Sequence, residues 1–227
     1  PTQQTLHKCQ QLMDYANTYK NAYVCFHASD MILEADSDAA YLVMPNAKSR
    51  YAGYFRLLDN ENKTNRSIHN GALLIECKTI KNVVSSAAEA ETHGVFNNVK
   101  TALFLRHILS SLGHAQPATT LHTDNSTTSG FVHNNIQLRK SKSWNMNLHW
   151  LLELHKQINI KWDKGVNNTS DYFTKHHPIT HHRKMRSLYV KDLMQKMNSL
   201  FHTLLIKNLK NEHVCKGVLI PGKNGIS

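Results

Sequence analysis

The residues with the clearest chemical potential are acids at the ends of predicted elements. Asp38 closes a strand-like run in Ala35-Asp36-Ser37-Asp38-Ala39, with Asp36 two residues back and therefore on the same sheet face. Glu89 and Glu91 lie where a long helical pattern begins, in Ser85-Ser86-Ala87-Ala88-Glu89-Ala90-Glu91. Asp124 follows a short strand and leads into Asn125-Ser126, and Asp171 stands near a helix start in Asn168-Thr169-Ser170-Asp171-Tyr172-Phe173-Thr174-Lys175. Taken singly, such acids are ordinary helix caps or first-turn residues that favour a helix N-terminus. Taken together, in the order strand end, helix, strand end, helix start, they can supply the hard oxygen ligands that magnesium prefers. Two such cations roughly 3.5–4 Å apart can hold one phosphodiester, one activating a water and the other steadying the leaving oxygen. Carboxylates brought that close repel one another, which raises some of their pKa values and weakens the fold until cations arrive.

The elements that must position these acids are legible from periodicity. Leu6, Cys9, Leu12, Met13 and Ala16 have helical spacing and predict one helix over 5–19. Runs at 31–39, 51–58 and 72–79 read as strands joined by polar turns, an antiparallel meander. Val95, Val99, Ala102, Leu105, Leu109 and Leu112 recur at steps of three and four, and Gly113 supplies a stop. A strand at 119–123, helices at 125–134 and 144–157, a strand at 158–162 and a helix starting at Thr169 follow. The order βββαβααβα predicts an α/β fold, a mixed sheet covered by helices. Beyond Pro178, Met185, Leu188, Tyr189, Leu193, Met197, Leu200 and Leu204 continue at helical intervals in a basic setting. This predicts a C-terminal helical appendage with a frayed end.

Composition bounds the partners. The 227 residues carry 27 Lys and Arg against 16 Asp and Glu, a formal net charge of +11, which fits either a nucleic-acid backbone as partner or a merely soluble surface. The longest apolar stretch, near 101–112, is broken by Arg106 and His107, so no membrane partner is expected. Cys9, Cys25, Cys77 and Cys215 are widely spaced, which favours a reducing compartment and free thiols. The chain begins at Pro1 without a signal region, as expected of a piece cut from a longer polypeptide.

Five motifs occur in a telling order: Ser37-Asp38-Ala39-Ala40-Tyr41; Lys48-Ser49-Arg50 to Gly53-Tyr54-Phe55; Ser85 to Glu91; Thr123-Asp124-Asn125-Ser126; and Asp171-Tyr172-Phe173-Thr174-Lys175. Over residues 2–178 the chain resembles the ribonuclease H domain at the end of a copia-type retrotransposon polyprotein. The resemblance implies a ribonuclease H-like mixed five-stranded sheet flanked by helices. It also implies hydrolysis of the RNA strand of RNA–DNA hybrids with two Mg²⁺ ions, Mn²⁺ being a substitute. The implied catalytic and metal-binding set is Asp38, Glu91, Asp124 and Asp171. Glu91 is preferred to Glu89 because in such helices the ligand follows an alanine and precedes the apolar stripe; Asp36 and Glu89 are reserves. The chain departs from the family in Lys142-Ser143-Trp144-Asn145 and in Ser170 before Asp171.

The implied organisation is 1–30 as the end of the reverse transcriptase or connection segment, 31–178 as the ribonuclease H-like domain and 179–227 as a basic helical tail. The upstream reverse transcriptase is then a partner, since no tyrosine-x-aspartate-aspartate motif occurs in this chain. The expected location is intracellular, in cytoplasmic particles or the nucleus. Hybrid recognition would run through sugar and phosphate. Lys48, Arg50, Arg139, Lys140, Lys142 and Lys175 are the candidate phosphate contacts and Asn125 a hydrogen-bonding neighbour. His176, His177, His181 and His182 lack one-turn ligand spacing and a cysteine, which disfavours zinc. Trp144, Trp150 and Trp162 are expected to pack in the core. The competing function is an inactive, co-opted nucleic-acid-binding module of the same fold.

Overall fold

The computed structural model describes residues 2–59, 70–132 and 142–192. In chain order the helices and strands are α1 (Gln3–Thr18), β1 (Ala22–Tyr23), β2 (Ile32–Met44), β3 (Lys48–Leu58), β4 (Ala72–Thr79), α2 (Ala87–Ser111), β5 (Thr119–Thr123), α3 (Ser126–Val132), α4 (Lys142–Glu153), β6 (Ile158–Trp162), α5 (Asp171–Thr174), α6 (Ile179–Tyr189) and β7 (Lys191–Asp192). Two compact units result. Of the described residues, one unit holds those between 24 and 189; the other joins 2–23 to 190–192 and contains α1 and the antiparallel β1–β7 pair. The helix α6 therefore belongs to the larger unit. In the smaller unit, Leu6, Leu12 and Met13 of α1 stay largely exposed.

In the larger unit the sheet order is β4-β3-β2-β5-β6. The first three strands are antiparallel, while β5 lies parallel to both β2 and β6. This is the expected α/β architecture of a mixed five-stranded sheet flanked by helices. Its central strand is buried without interruption from Leu33 to Ala40, as a strand covered on both faces must be. Leu33, Ala35, Phe55, Val95, Val99, Leu121 and Leu148 form the main apolar core. On β2 the alternate residues Glu34 and Asp36 turn to the other face, where Arg56 meets Glu34 Oε1 at 2.5 Å and Asp36 Oδ2 at 2.9 Å. Burial works to raise the Glu34 carboxyl, but His122 and Arg56 hold it down to about 2.

Two contacts, at Gly94 and Asn98, bring α2 close to the sheet. A side chain at Gly94 would stand 3.2 Å from the Tyr51 Cβ and 3.3 Å from the Ala39 Cβ, tighter than most real contacts. One turn later the buried Asn98 amide donates to Ser37 Oγ at 2.8 Å and to the Ala52 carbonyl at 2.9 Å. These bonds tie α2 to β2 and β3 beside Asp38. The N-terminus of α2 is capped by Ser86, whose hydroxyl accepts from the Glu89 amide at 3.2 Å. Ser86→Ala is expected to lower stability by about 1 kcal/mol in a denaturant melt, the usual worth of a cap.

Among the described residues no helix is long and apolar enough to cross a membrane.

Candidate active site

The acids converge where the parallel ladder between β2 and β5 ends; Asp38 does not close its strand as expected, since β2 runs on to Met44, but it lies just past the last β5 partner. Ser37 pairs with Thr123 at the end of the β2–β5 ladder, so Asp38 and Asp124, each one residue further on, emerge side by side. The close packing of α2 then brings Glu91 to the same point. Ligand oxygens of Asp38, Glu91 and Asp124 lie within 4.8 Å of one another. Asp171 opens α5, and its charge acts on both Asp38 and Asp124.

The loop before α5 is fastened beneath β2. The Asn168 amide donates to the Ser37 carbonyl at 2.8 Å, and the Thr169 amide donates to Asp36 Oδ2 at 3.2 Å. The Tyr189 hydroxyl of α6 donates to the Thr169 carbonyl at 2.7 Å. A four-residue helix cannot hold its own conformation; here aromatic rings hold it. Tyr172 stacks on His177 with centroids 5.1 Å apart and on Tyr189 at 5.1 Å, and its hydroxyl is hydrogen-bonded to His182 Nδ1. His177 in turn stacks on His181 at 4.3 Å. Three of the four histidines thus brace α5 against α6, while His176 is exposed.

The electrostatics are those of crowded acids. Burial, with Asp171 and Asp124 adding to it, pushes the Asp38 carboxyl up to about 7 against the opposing pull of Thr174 and Lys175. Burial and the neighbouring Asp38 and Asp124 push Glu91 up to about 9. Asp124 is raised too, chiefly by burial. The Thr174 hydroxyl donates to Asp38 Oδ2, and Lys175 Nζ donates to Asp171 Oδ1. Glu91 Oε2 is buried with no hydrogen-bond partner, an arrangement that costs free energy unless something satisfies it. The turn at Gly165–Asn167 passes so close that a Cβ on Gly165 would lie 2.9 Å from Asp124 Oδ2. Several hard oxygens, one of them unsatisfied, suit a divalent cation of the magnesium class.

The reserves serve other purposes. Glu89 turns back on the cap and accepts from Ser85 N and Ser85 Oγ, both at 2.7 Å. Asp36 is bound to Arg56 and Thr169. Glu34, Asp36 and His122 also lie within 4.8 Å of one another, but the Arg56 guanidinium already compensates that pair of carboxylates.

The expected nucleic-acid contacts fall in different settings. Lys48 is exposed and lines a concavity of about 930 Å³ with Lys78, Lys81, His93, Asn97 and Asn147. Arg50 is half-buried and its guanidinium meets Met44 Sδ at 2.8 Å. The buried Asn125 caps α3, accepting from Thr127 N at 2.9 Å and donating to Thr128 Oγ1 at 2.7 Å. Its amide is engaged inside the fold beside Asp124. Lys175 sits within the acid cluster. Arg139, Lys140 and the side chain of Lys142 lie outside the described residues, as does the side chain of Trp144.

Trp150 packs edge-on against Phe96 at 4.8 Å, as expected. Trp162 departs from the packing expectation: it is 51% exposed and donates from Nε1 to the Asp124 carbonyl at 3.0 Å. As the last residue of an edge strand it has neighbours on one side only, a position that spacing in the sequence does not reveal. The supporting groups missed at the sequence level are Asn98, Thr169 and Tyr189. Each is a polar residue whose partner lies far away in the chain.

No family model matches this chain, and no curated protein matches it. Among solved structures it is similar to the N-terminal RNase H domain of a Mycobacterium tuberculosis protein, at 13% identity and a TM-score of 0.45, over 63% of this chain and 91% of that one. It is also similar to RNase H1 from the archaeon Halobacterium salinarum, at 12% identity and a TM-score of 0.45, over 63% and 93%. A third is LC11-RNase H1 in complex with an RNA/DNA hybrid, at 8% identity and a TM-score of 0.46, over 62% and 92%.

Proposed function

We propose that this chain hydrolyses the RNA strand of RNA–DNA hybrids, as the ribonuclease H domain of a copia-type retrotransposon polyprotein acting beside its upstream reverse transcriptase. The observation that carries the reading is the meeting of Asp38, Glu91 and Asp124, with the buried, unsatisfied Glu91 Oε2 among them. Asp38, Glu91, Asp124 and Asp171 would hold two Mg²⁺ ions, or Mn²⁺ in their place. When bound, the cations would supply an activated water and charge stabilisation at the leaving oxygen.

The chain's own residues do the rest by fixing geometry. Asn98 and Gly94 set the depth of α2 and so the reach of Glu91. Asn125 sets the start of α3 behind Asp124, and Asn168 and Thr169 hold the approach to Asp171. Thr174 orients the Asp38 carboxylate through its hydroxyl. Such supports matter because a displacement of about 1 Å at a reacting centre can cost about a hundredfold in rate.

The hybrid would be gripped through its backbone, with Lys48, Lys78 and Lys81 following a strand that leaves the acid cluster. Lys78 is paired with Glu76 at 2.7 Å but remains mostly exposed, so a phosphate can compete for it. Each lysine that neutralises a phosphate steepens the dependence of log affinity on log salt by about 0.9 on a B-form duplex. The Lys48→Gln/Lys81→Gln double variant is expected to bind a hybrid more weakly at low salt and with a shallower salt slope, by about 1 to 2. An unchanged slope in a salt titration would remove these lysines from the binding path. The test of the reaction itself is cleavage of a strand-labelled hybrid in Mg²⁺, set against Asp124→Asn.

A further inference from the structure

The four acids have a cation of their own. Lys175, one turn after Asp171, donates its ammonium to the Asp171 carboxylate. Its neighbour Thr174 reaches Asp38 from the same short segment. The ammonium charge is also felt by Asp38, Glu91 and Asp124. The charged partners facing it are therefore Asp171 one turn earlier, Asp38 from β2, Glu91 from α2 and Asp124 just after β5.

This pairing is easy to undo. The side chain of Lys175 is 48% exposed and that of Asp171 29%. An exposed pair of this kind adds little to stability and is held by a flexible four-carbon stem. A dication placed among the carboxylates carries twice the charge and meets more oxygens. Two cations cannot share the same few ångströms without strong repulsion.

We infer that Lys175 is a tethered counter-cation of the carboxylate cluster, and that a divalent metal binds there by displacing its ammonium from Asp171. The inference rests on the cluster being a metal site, as in the proposed function, but not on hydrolysis. It gives Lys175 two states: paired with Asp171 when the site lacks metal, and turned outward when metal is bound. Removing the lysine should therefore strengthen metal binding. A residue that merely braced α5 would weaken metal binding on removal, so the sign separates the two roles.

The test is calorimetric titration of Mn²⁺ alone into the full chain at pH 8, without nucleic acid. Lys175→Met is expected to bind Mn²⁺ about tenfold more tightly than the unaltered chain, and Lys175→Arg about equally to it. Equal or weaker binding by Lys175→Met overturns the inference. If the Met variant does not fold without metal, the unaltered chain still decides: the Lys175 ammonium resonance should lose its ion-paired shift as Mg²⁺ is added, and a resonance indifferent to Mg²⁺ overturns the inference. Hybrid cleavage enters neither readout. A chain that binds Mn²⁺ in the expected order yet leaves hybrids intact would support the counter-cation and contradict the proposed reaction.

Discussion

Glu91→Gln should abolish hybrid cleavage and, at the same time, make the metal-free chain more stable at pH 8. Loss of one charged group aimed at the reacting centre costs on the order of 10²–10³ in rate, and Glu91 contributes a buried oxygen with no partner in the protein. The stability gain follows from the same crowding. Burial beside Asp38 and Asp124 pushes the Glu91 carboxyl up to about 9, so folding at pH 8 must take up a proton that the unfolded chain has released. Glutamine is nearly isosteric and carries no charge in either state, so it removes that penalty. Glu89→Gln is the informative partner, since Glu89 serves the cap through Ser85. It should cleave within about twofold of the unaltered chain and melt slightly earlier. Steady-state cleavage and calorimetric melting of the two variants together check this, and equal losses of activity in both would place the ligand wrongly. An active site that is costly to the fold is the usual stability–activity trade.

The second large effect is a pH dependence that metal should cancel. Asp38 is raised to about 7 and Glu91 to about 9 in the folded chain, against roughly 3.9 and 4.3 when unfolded. Between those limits the folded state holds more protons than the unfolded one, so stability falls as pH rises. The contribution is fully present below about pH 4, is lost progressively as pH climbs through about 7 and then 9, and changes no further above that. Glu34 acts in the opposite sense, because its carboxyl lies down near about 2, and its contribution is lost only in strong acid. With a chelator present, the melting temperature should therefore decline from about pH 5 to about pH 9. Saturating Mg²⁺ should flatten the decline, adding about 2.7 kcal/mol at a hundred times its dissociation constant. A melting curve that rises with pH in chelator, or does not respond to Mg²⁺, would contradict the electrostatic description of the cluster.

Much of this arrangement could be read from residue types alone. The expected stripe buries from Val95 to Leu109, though its last member, Leu112, is exposed, and strands were expected at 72–79, 119–123 and 158–162, where the structure has β4, β5 and β6. Regular elements announce themselves because one periodic face must be apolar. The choice between Glu89 and Glu91 was less visible. Both occupy the first turns of α2, and only the cap geometry shows Glu89 facing Ser85 while Glu91 faces Asp38 and Asp124. The supports were not legible at all. Asn98 with Ala52, Thr169 with Asp36 and Tyr189 with Thr169 are polar pairs made by the fold, and no local pattern marks them. The spacing of the histidines near Asp171 disfavoured zinc without showing what they do instead; His177, His181 and His182 are engaged through ring stacking and the Tyr172 hydroxyl. Composition gives the ring chemistry but not the partner, and the same imidazole that binds a metal can brace a helix.

The most direct test uses a hybrid labelled separately on each strand, incubated with the full chain in Mg²⁺ and resolved by denaturing electrophoresis. The RNA strand should be cut internally while the DNA strand stays whole, and both a chelator and Asp124→Asn should stop the cutting. Cleavage that persists in chelator, that survives the Asp124 substitution, or that never occurs although the hybrid is bound would contradict the account.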